Sequence, residues 1–346
     1  MEIVTLDEYN VKQYDEFLLK NTKTLFSASS RYKTLLKHYL KCKDHYFLAL
    51  QEGCIVGAFP CFIKENSKYG NVLNSLPYYG SSGAIIEFEN NIEVKSALLS
   101  AIERLCKEKD CVASTIVTSP FEENFSFYHE ARYDFTDSRR GLINKIPVFS
   151  EEIENNLMQQ FNSMRRRNIR KAQKYNLIVR IDNSEASLRF LYDTHVDTML
   201  RNGGKPKERH FFELVTNLLT PGVDYDIYIS EYEGKRVSAL LVFYFNKTVE
   251  YFTPVINLEY SVYNPLCLIL LEVMIKASEK GYEYFNWGGT GADSQDSLYK
   301  FKKNFGAFDY PYNYFTRIYD KSILSMSRET ILKEYPDFFV FPFGQV

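Results

Sequence analysis

The chain repeats itself. With Glu52-Gly53 set on Glu233-Gly234, an offset of 181 residues, FLALQEGCIVGAFPCFI (47–63) falls into step with YISEYEGKRVSALLVFY (228–244). Each stretch is an apolar run, a Glu-Gly pair and a second β-rich run, which predicts two strands joined by a tight turn. A third strand follows in both, 71–77 and 248–254. A helix comes next: 98–111 is apolar at 98, 99, 102, 105 and 106, while 265–281 is apolar almost all round at its start. Each helix runs into a short strand, 113–117 and 284–287. Only five of the seventeen aligned hairpin positions are identical, so the shared order of elements carries the inference. The prediction is a mixed α/β chain of two like modules, 1–147 and 148–346, with a linker near 145–150.

A length of 346 residues leaves room for two such cores. The 42 basic residues nearly cancel the 44 acidic ones, which argues against a protein devoted to coating nucleic acid or an anionic membrane. Tyrosine and phenylalanine, 27 of each, supply rings for grooves as well as cores. The opening MEIVTLDE has no basic region followed by an apolar one, so no secretory leader is expected, and a reducing, cytoplasmic setting is. No apolar stretch of the helical second half is long enough to span a bilayer, which leaves peripheral membrane contact open. Six cysteines show no CxxC pair, and Cys54, Cys61 and Cys267 lie in apolar runs, reading as buried free thiols. The five histidines lack metal-ligand spacing, so no metal and no permanently bound cofactor is expected.

Two segments carry chemistry. Residues 151–176 read as one helix, capped by Ser150 and opened by Glu151, Glu152 and Glu154. Its second half crowds Arg165, Arg166, Arg167, Arg170, Lys171 and Lys174 together. A solvated face that complements the helix dipole accounts for two or three of these cations; the rest suit phosphate, for which arginine is the better bidentate partner. A diphosphate-linked substrate, a CoA tail or a tRNA backbone would each satisfy them. The second segment, 284–306, ends a strand at Gly288-Gly289-Thr290-Gly291 and then alternates aromatic and basic residues in FKKNFG. Its glycines match neither GK[ST] nor GxGxxG. Phe301 and Phe305 in the core with both lysines in water is the bland account; the functional one places a lysine against a phosphate or a developing oxyanion.

These residues resemble the Fem transferase family, the FemABX group with the related FemAB-like acyltransferases. The resemblance rests on RRRNIRKA (165–172), on Asn264-Pro265 opening a helix, and on a glycine-rich strand end followed by FKxxFG (301–306). It extends over nearly the whole chain, with its motifs between 161 and 306 and only topology before 145. The resemblance implies two tandem acetyltransferase-like (GNAT) modules. It also implies transfer of an amino acid from aminoacyl-tRNA to an amine of a peptidoglycan precursor in cell-wall biogenesis; relatives acylate other amines. It places Phe301 and Lys302 near the reacting centre and residues 165–171 beside the acceptor groove. Two departures stand out. Between 176 and 228 there is no long heptad run for a tRNA-holding arm. The acetyl-CoA loop [QR]xxGx[GA] is missing after either third strand, and residues 80–84 are its nearest approach.

Amide formation from an activated ester needs a free amine and a stabilised oxyanion. No Ser-His-Asp or Cys-His pattern offers a covalent route, which leaves direct attack. Lys302 is the candidate for electrostatic stabilisation. Asp293 and Asp296 are weak candidates for a base, and no base is assigned. Tyr251 and Asn264 are candidates for orienting the acceptor, against core packing for the one and a helix cap for the other. Three readings compete: a Fem-like aminoacyltransferase; an N-acyltransferase using acyl-CoA or an acyl carrier on a surface-polysaccharide amino sugar; and a nucleic-acid-binding module built on 165–174. The tail, 321–346, is expected to pack on the second module.

Overall fold

The computed structural model describes residues 1–78, 83, 85–87, 90–290 and 296–345. The chain divides into two compact units, one of residues 1–140 with 310–346, the other of residues 141–309. The first unit opens with β1 (Glu2–Thr5), α1 (Val11–Lys20), α2 (Ser30–Leu40), β2 (Lys43–Asp44), β3 (Phe47–Gln51) and β4 (Cys54–Phe59). It goes on through β5 (Cys61–Lys64), β6 (Asn71–Ser75), β7 (Ile86–Glu87), α3 (Ile92–Glu108), β8 (Cys111–Val117) and α4 (Ser126–Glu130). The division falls within β9 (Phe135–Lys145). The second unit then has α5 (Ile153–Gln160), α6 (Ser163–Lys174), β10 (Ile178–Ile181), α7 (Glu185–Arg201) and α8 (Arg209–Leu218). It ends with β11 (Tyr225–Tyr232), β12 (Lys235–Phe245), β13 (Thr248–Ile256), α9 (Pro265–Glu279), β14 (Tyr284–Thr290) and α10 (Ser297–Lys303). β15 (Phe308–Ile318) and α11 (Arg328–Glu334) complete the first unit.

The repeat is present down to its irregularities. Gln51 pairs with Cys54 and Tyr232 with Lys235, leaving two-residue loops. Both loops have positive φ at each position: 51° and 77° for Glu52-Gly53, 49° and 75° for Glu233-Gly234. That is the turn whose twist matches a hairpin, and glycine takes its second position without strain. The ladders then slip between Ala49 and Leu50 and between Ser230 and Glu231, positions that coincide at the 181-residue offset. A bulge inserts one residue and bends its strand, so a shared bulge marks a shared frame. In both units the third strand of the repeat pairs in parallel with the strand that follows the long helix, β6 with β8 and β13 with β14.

In the first unit, Pro60 interrupts the second arm of the hairpin. Lacking an N–H, it separates β4, which lies in a sheet of order β1-β3-β4-β7, from β5, which joins β2, β6, β8 and β15. Val94, Leu98, Ile102 and Leu105 turn one face of α3 into a core with Phe59, Leu73, Ile116 and Phe315. The tail corrects the expected boundary of 148–346. β15 pairs antiparallel with β8, Phe339 exchanges backbone hydrogen bonds with the Asn74 side chain, and the Tyr335 hydroxyl donates to Gly70. Residues 310–346 thus pack on the first unit, because β8 needs a partner on its second edge and β15 supplies it.

In the second unit β10-β11-β12-β13-β14 form one sheet, antiparallel except for its last pair. α9 is buried on almost every side, as its run PLCLILL requires, between that sheet and α5 and α6. The single helix expected over 151–176 is two. Phe161 is extended, and Asn162 caps α6 by accepting from the Arg165 amide at 2.9 Å. The Asn162 amide groups also meet Asn304, through its carbonyl at 3.0 Å and its side-chain oxygen at 2.8 Å. Ser150 contributes its carbonyl, not its hydroxyl, to the first turn of α5. Of the thiols expected to be buried, Cys54 is exposed beside its turn.

Candidate active site

β14 and α10 bring the FKKNFG segment under the glycine-rich strand end. Gly306, at φ 79°, lies so close to Gln160 that a Cβ would stand 2.5 Å from its carbonyl oxygen. This close approach ties α10 to the α5–α6 junction. Lys302 is 3% exposed. Its ammonium donates to the carbonyls of Trp287 at 2.8 Å and Gly289 at 3.2 Å. The bland account, with both lysines in water, holds only for Lys303, which is half-buried against Asp309. Burial pushes Lys302 down to about 8, opposed by the charge of Asp296. It is therefore mainly an ammonium near neutral pH, with two of its three N–H groups on backbone carbonyls and the third without a partner among the described residues.

The walls are aromatic. Trp287 lies 5.2 Å from Tyr251, 5.3 Å from Phe305 and 6.2 Å from Phe301 between ring centres. Its indole N–H donates to Asn144 at 2.6 Å, and the Asn144 amide donates to the Phe305 carbonyl at 2.8 Å. Asn144 of β9 thus links the strand that carries the Lys302 acceptors to the turn that follows the helix carrying Lys302. Tyr251 is half-buried, and burial raises its phenol above the usual range. Between Leu241 and Val242 the β12–β13 ladder slips opposite Phe252, and β13 pairs with β14 only from Thr248 to Glu250. Beyond those pairs the two strands part, with Tyr251 at the start of the opening.

The basic cluster does not act as a block. Arg165 turns inward, its guanidinium 4.4 Å from the Phe301 ring centre and 5.3 Å from that of Phe305, with its Nε buried and unpartnered among the described residues. Arg166 and Lys171 are half-buried, while Arg167 and Arg170 are exposed. Because α6 starts at Ser163, Arg165 and Arg166 stand in its first turn and Arg167 just beyond it, near the positive end of the helix dipole. The dipole therefore accounts for Lys171 and Lys174 and opposes the arginines. Their concentration there raises a positive potential suited to an anion.

Asn264 stands at φ 57° before Pro265 and makes no side-chain cap; its amide donates to the Val262 carbonyl at 3.2 Å. Asp296 caps α10 by accepting from Leu298 at 2.8 Å, which commits it structurally. Asp293 and the loop 80–82 lie outside the described residues. One feature had no signal in the sequence. In the polar loop GGKPKE, half-buried Lys207 sits 5.1 Å from the Phe252 ring centre and is pushed by burial to about 8. Its amide donates to His195 Nε2 at 3.0 Å, and burial and then Lys207 hold that imidazole down to about 4. Among the described residues no group of three His, Cys, Asp or Glu is placed to hold a metal, and no helix is long and apolar enough to cross a membrane.

Residues 160–303 match the family model of the acetyltransferase (GNAT) domain. The fold is that of FemABX-like proteins of tandem GNAT architecture. The structure of FemX superposes with a TM-score of 0.74 at 14% identity, over 93% of this chain and 98% of that one. The C-terminal domain of a putative lysylphosphatidylglycerol synthetase from Agrobacterium fabrum gives 0.61 at 11% identity, over 94% and 96%. A tandem GNAT protein from the clavulanic acid biosynthesis pathway gives 0.52 at 9% identity, over 92% and 98%. No curated protein sequence matches the chain. The class that the matched domain defines is an acyltransferase.

Proposed function

We propose that the second unit transfers an aminoacyl group to an amine of a phosphate-bearing cell-envelope precursor, by direct attack of the amine on the activated ester. One observation carries the reading: the buried Lys302 ammonium, fixed by two carbonyls with a third N–H unspent among the described residues. In a dry, aromatic-walled setting such a cation stabilises a developing oxyanion far more than it would in water, and it needs no reorganisation to do so. Lys302 is the electrostatic catalyst. Phe301 and Tyr251 shape the wall, and Arg166, Arg167, Arg170 and Lys171 meet the phosphates of donor or acceptor. Arg165 acts indirectly, by stacking on Phe301. Asn264, whose side chain caps nothing, is a candidate for acceptor contact. FemX and a lysylphosphatidylglycerol synthetase among the similar folds fit a reading in which an amino acid is moved. No residue is assigned as base; the acceptor can lose its proton to solvent or to the leaving group.

Thermal shift separates the donors and acceptors, since a ligand that binds only the folded state raises Tm by mass action. Stabilisation by a UDP-linked peptidoglycan precursor, lost in Arg166→Glu with Arg170→Glu, is the expected result, together with a response to aminoacyl-tRNA. Stabilisation by a coenzyme A thioester alone would instead assign the chain to acyl-CoA-dependent N-acylation of an amino sugar.

A further inference from the structure

The first unit brings together two thiols that form no CxxC pair in the sequence. α3 carries Cys106 in its last turn, and Cys111 opens β8. Against β6, Asn71 pairs with Cys111 and Val72 with Ala113, so Val112 is an extra residue of β8. Such a bulge shifts the two-residue alternation of a strand by one and turns Cys111 and Ser114 to the same side. β15 pairs Arg317 with Ser114, and Tyr319 follows two residues on, which sets both on that side as well.

Cys106 packs onto that side. Its sulfur is in hydrogen-bond contact with the Cys111 thiol and with the hydroxyls of Tyr319 and Ser114. The two hydroxyls lie 3.1 Å apart. A bond between them uses only one of their two protons, so one always remains for the sulfur. Both cysteines line a surface pocket of about 420 Å³, rimmed by Lys107, Asp110 and the Glu103–Arg317 ion pair. Cys111 is 5% exposed there, and Cys106, at 1%, lies behind it. Cys61 is placed otherwise: it spends its S–H on the His45 carbonyl at 2.7 Å.

We propose that Cys106 and Cys111 are a peroxide-responsive dithiol, which closes to a disulfide between the end of α3 and the start of β8. The site stands apart from the Lys302 reading and does not depend on it. A thiolate that accepts from another thiol and two hydroxyls is stabilised without being alkylated or metal-bound, and its neighbour is already in place to resolve the oxidised product.

The roles of the two sulfurs differ. Donation from Cys111 is the largest influence on Cys106 and holds its thiol below the ordinary value; burial opposes this, and Tyr319 and Ser114 assist. The same bond, with burial, pushes Cys111 up. Cys106 is therefore the attacking thiolate. Hydrogen peroxide is little larger than water, and fraying of the last turn of α3 admits it past Cys111. The Cys106 sulfur attacks one peroxide oxygen, the O–O bond breaks, and hydroxide leaves to take up the proton the thiol gave up. Cys106 is then a sulfenic acid. The Cys111 sulfur attacks it: the S–S bond forms, the S–O bond breaks, and the Cys111 proton leaves with the hydroxyl as a second water. The two thiols lose two electrons and the peroxide gains them.

The test treats the full, reduced chain with hydrogen peroxide, alkylates it with N-ethylmaleimide in denaturant and digests it without reduction for mass spectrometry. A Cys106–Cys111 disulfide within one chain, two hydrogens lighter than the dithiol and reopened by dithiothreitol, is the expected product, with Cys42, Cys61 and Cys267 recovered alkylated. In Cys111→Ala, Cys106 is expected to stop at the sulfenic acid and be captured by dimedone; in Cys106→Ala, Cys111 is expected to give no dimedone adduct. Tyr319→Phe removes a donor to the thiolate without touching either sulfur and is expected to slow disulfide formation severalfold. The first measurement uses the natural sequence, so it decides the matter even where a variant does not fold. Cys106 and Cys111 both recovered alkylated after exposed Cys54 has been oxidised, a dimedone adduct on Cys111 in Cys106→Ala, or an unchanged rate in Tyr319→Phe would overturn the proposal.

Discussion

The two units are built on one frame and furnished in opposite ways. Both have the positive-φ Glu-Gly turn, the bulge at the matching position and the parallel strand pair around the long helix. Each also buries one lysine, 4% exposed at Lys95 and 3% at Lys302. Their surroundings differ. Lys95 faces two carboxylates, those of Glu122 at 3.3 Å and Glu87 at 3.6 Å, so its charge is answered within the unit. Lys302 faces two backbone carbonyls and lies in the unit that carries the arginines of α6, so its charge is only half answered. The difference teaches that burial alone does not make a lysine functional. What counts is whether its partners neutralise the charge or merely orient it.

The sharpest way to break this contrast is to remove each lysine. Lys95→Met strands two buried carboxylates and is expected to destabilise the first unit by about 3–5 kcal/mol, read by chemical denaturation. Lys302→Met removes the oxyanion partner and is expected to lower kcat about 10²- to 10³-fold with the fold retained, a loss of about 3–4 kcal/mol in transition-state stabilisation. Comparable destabilisation by both, with transfer intact in the second, would end the distinction.

The pH profile sharpens it. Lys302 is pushed down to about 8 by burial, and the working form is the ammonium, so the rate is expected to fall as pH rises through about 8. Lys302→Arg, which stays charged, should lose that limb whatever its absolute rate. The same shift has the opposite sense for stability. Between about 8 and the ordinary lysine value the unfolded chain binds more protons, so this group makes the fold more stable as pH rises across that window.

The smallest effects test the shared frame. Gly53→Ala and Gly234→Ala put a side chain at φ 77° and 75° with nothing within 4 Å, so each change reports backbone strain alone. Both are expected to cost about 1–2 kcal/mol, and to agree with one another within about half of that. Unequal losses would show that the two hairpins share sequence order without sharing mechanics.

The frame was legible in the sequence because turns and apolar runs are local. Glu-Gly at the same offset, a helix apolar all round, and strands flanking it all announce themselves within short windows. The break at Phe161-Asn162 was not legible, since the stripe of apolar residues runs through it and the cap depends on Asn304, 142 residues away. The allegiance of the tail was hidden for the same reason: β8 needed a partner that no local pattern names. At the site, FKxxFG pointed to Lys302, but only the fold shows which carbonyls hold it. Arg165 read as one cation among six, whereas it packs on Phe301. Lys207 and Asn144 lie in segments of ordinary composition, and long-range packing alone marks them.

The division of the chain has a consequence for synthesis. The second unit closes on one uninterrupted stretch, while the first waits for β15 to cover the free edge of β8, a strand buried along its whole length. On a ribosome the module made first is therefore the module finished last. Its apolar edge must be shielded, by a chaperone or by rapid completion of translation, until the final residues emerge. A nascent chain arrested after residue 309 should accordingly hold a protected second unit and a first unit open to protease, the reverse of the order in which ribosomes usually deliver domains.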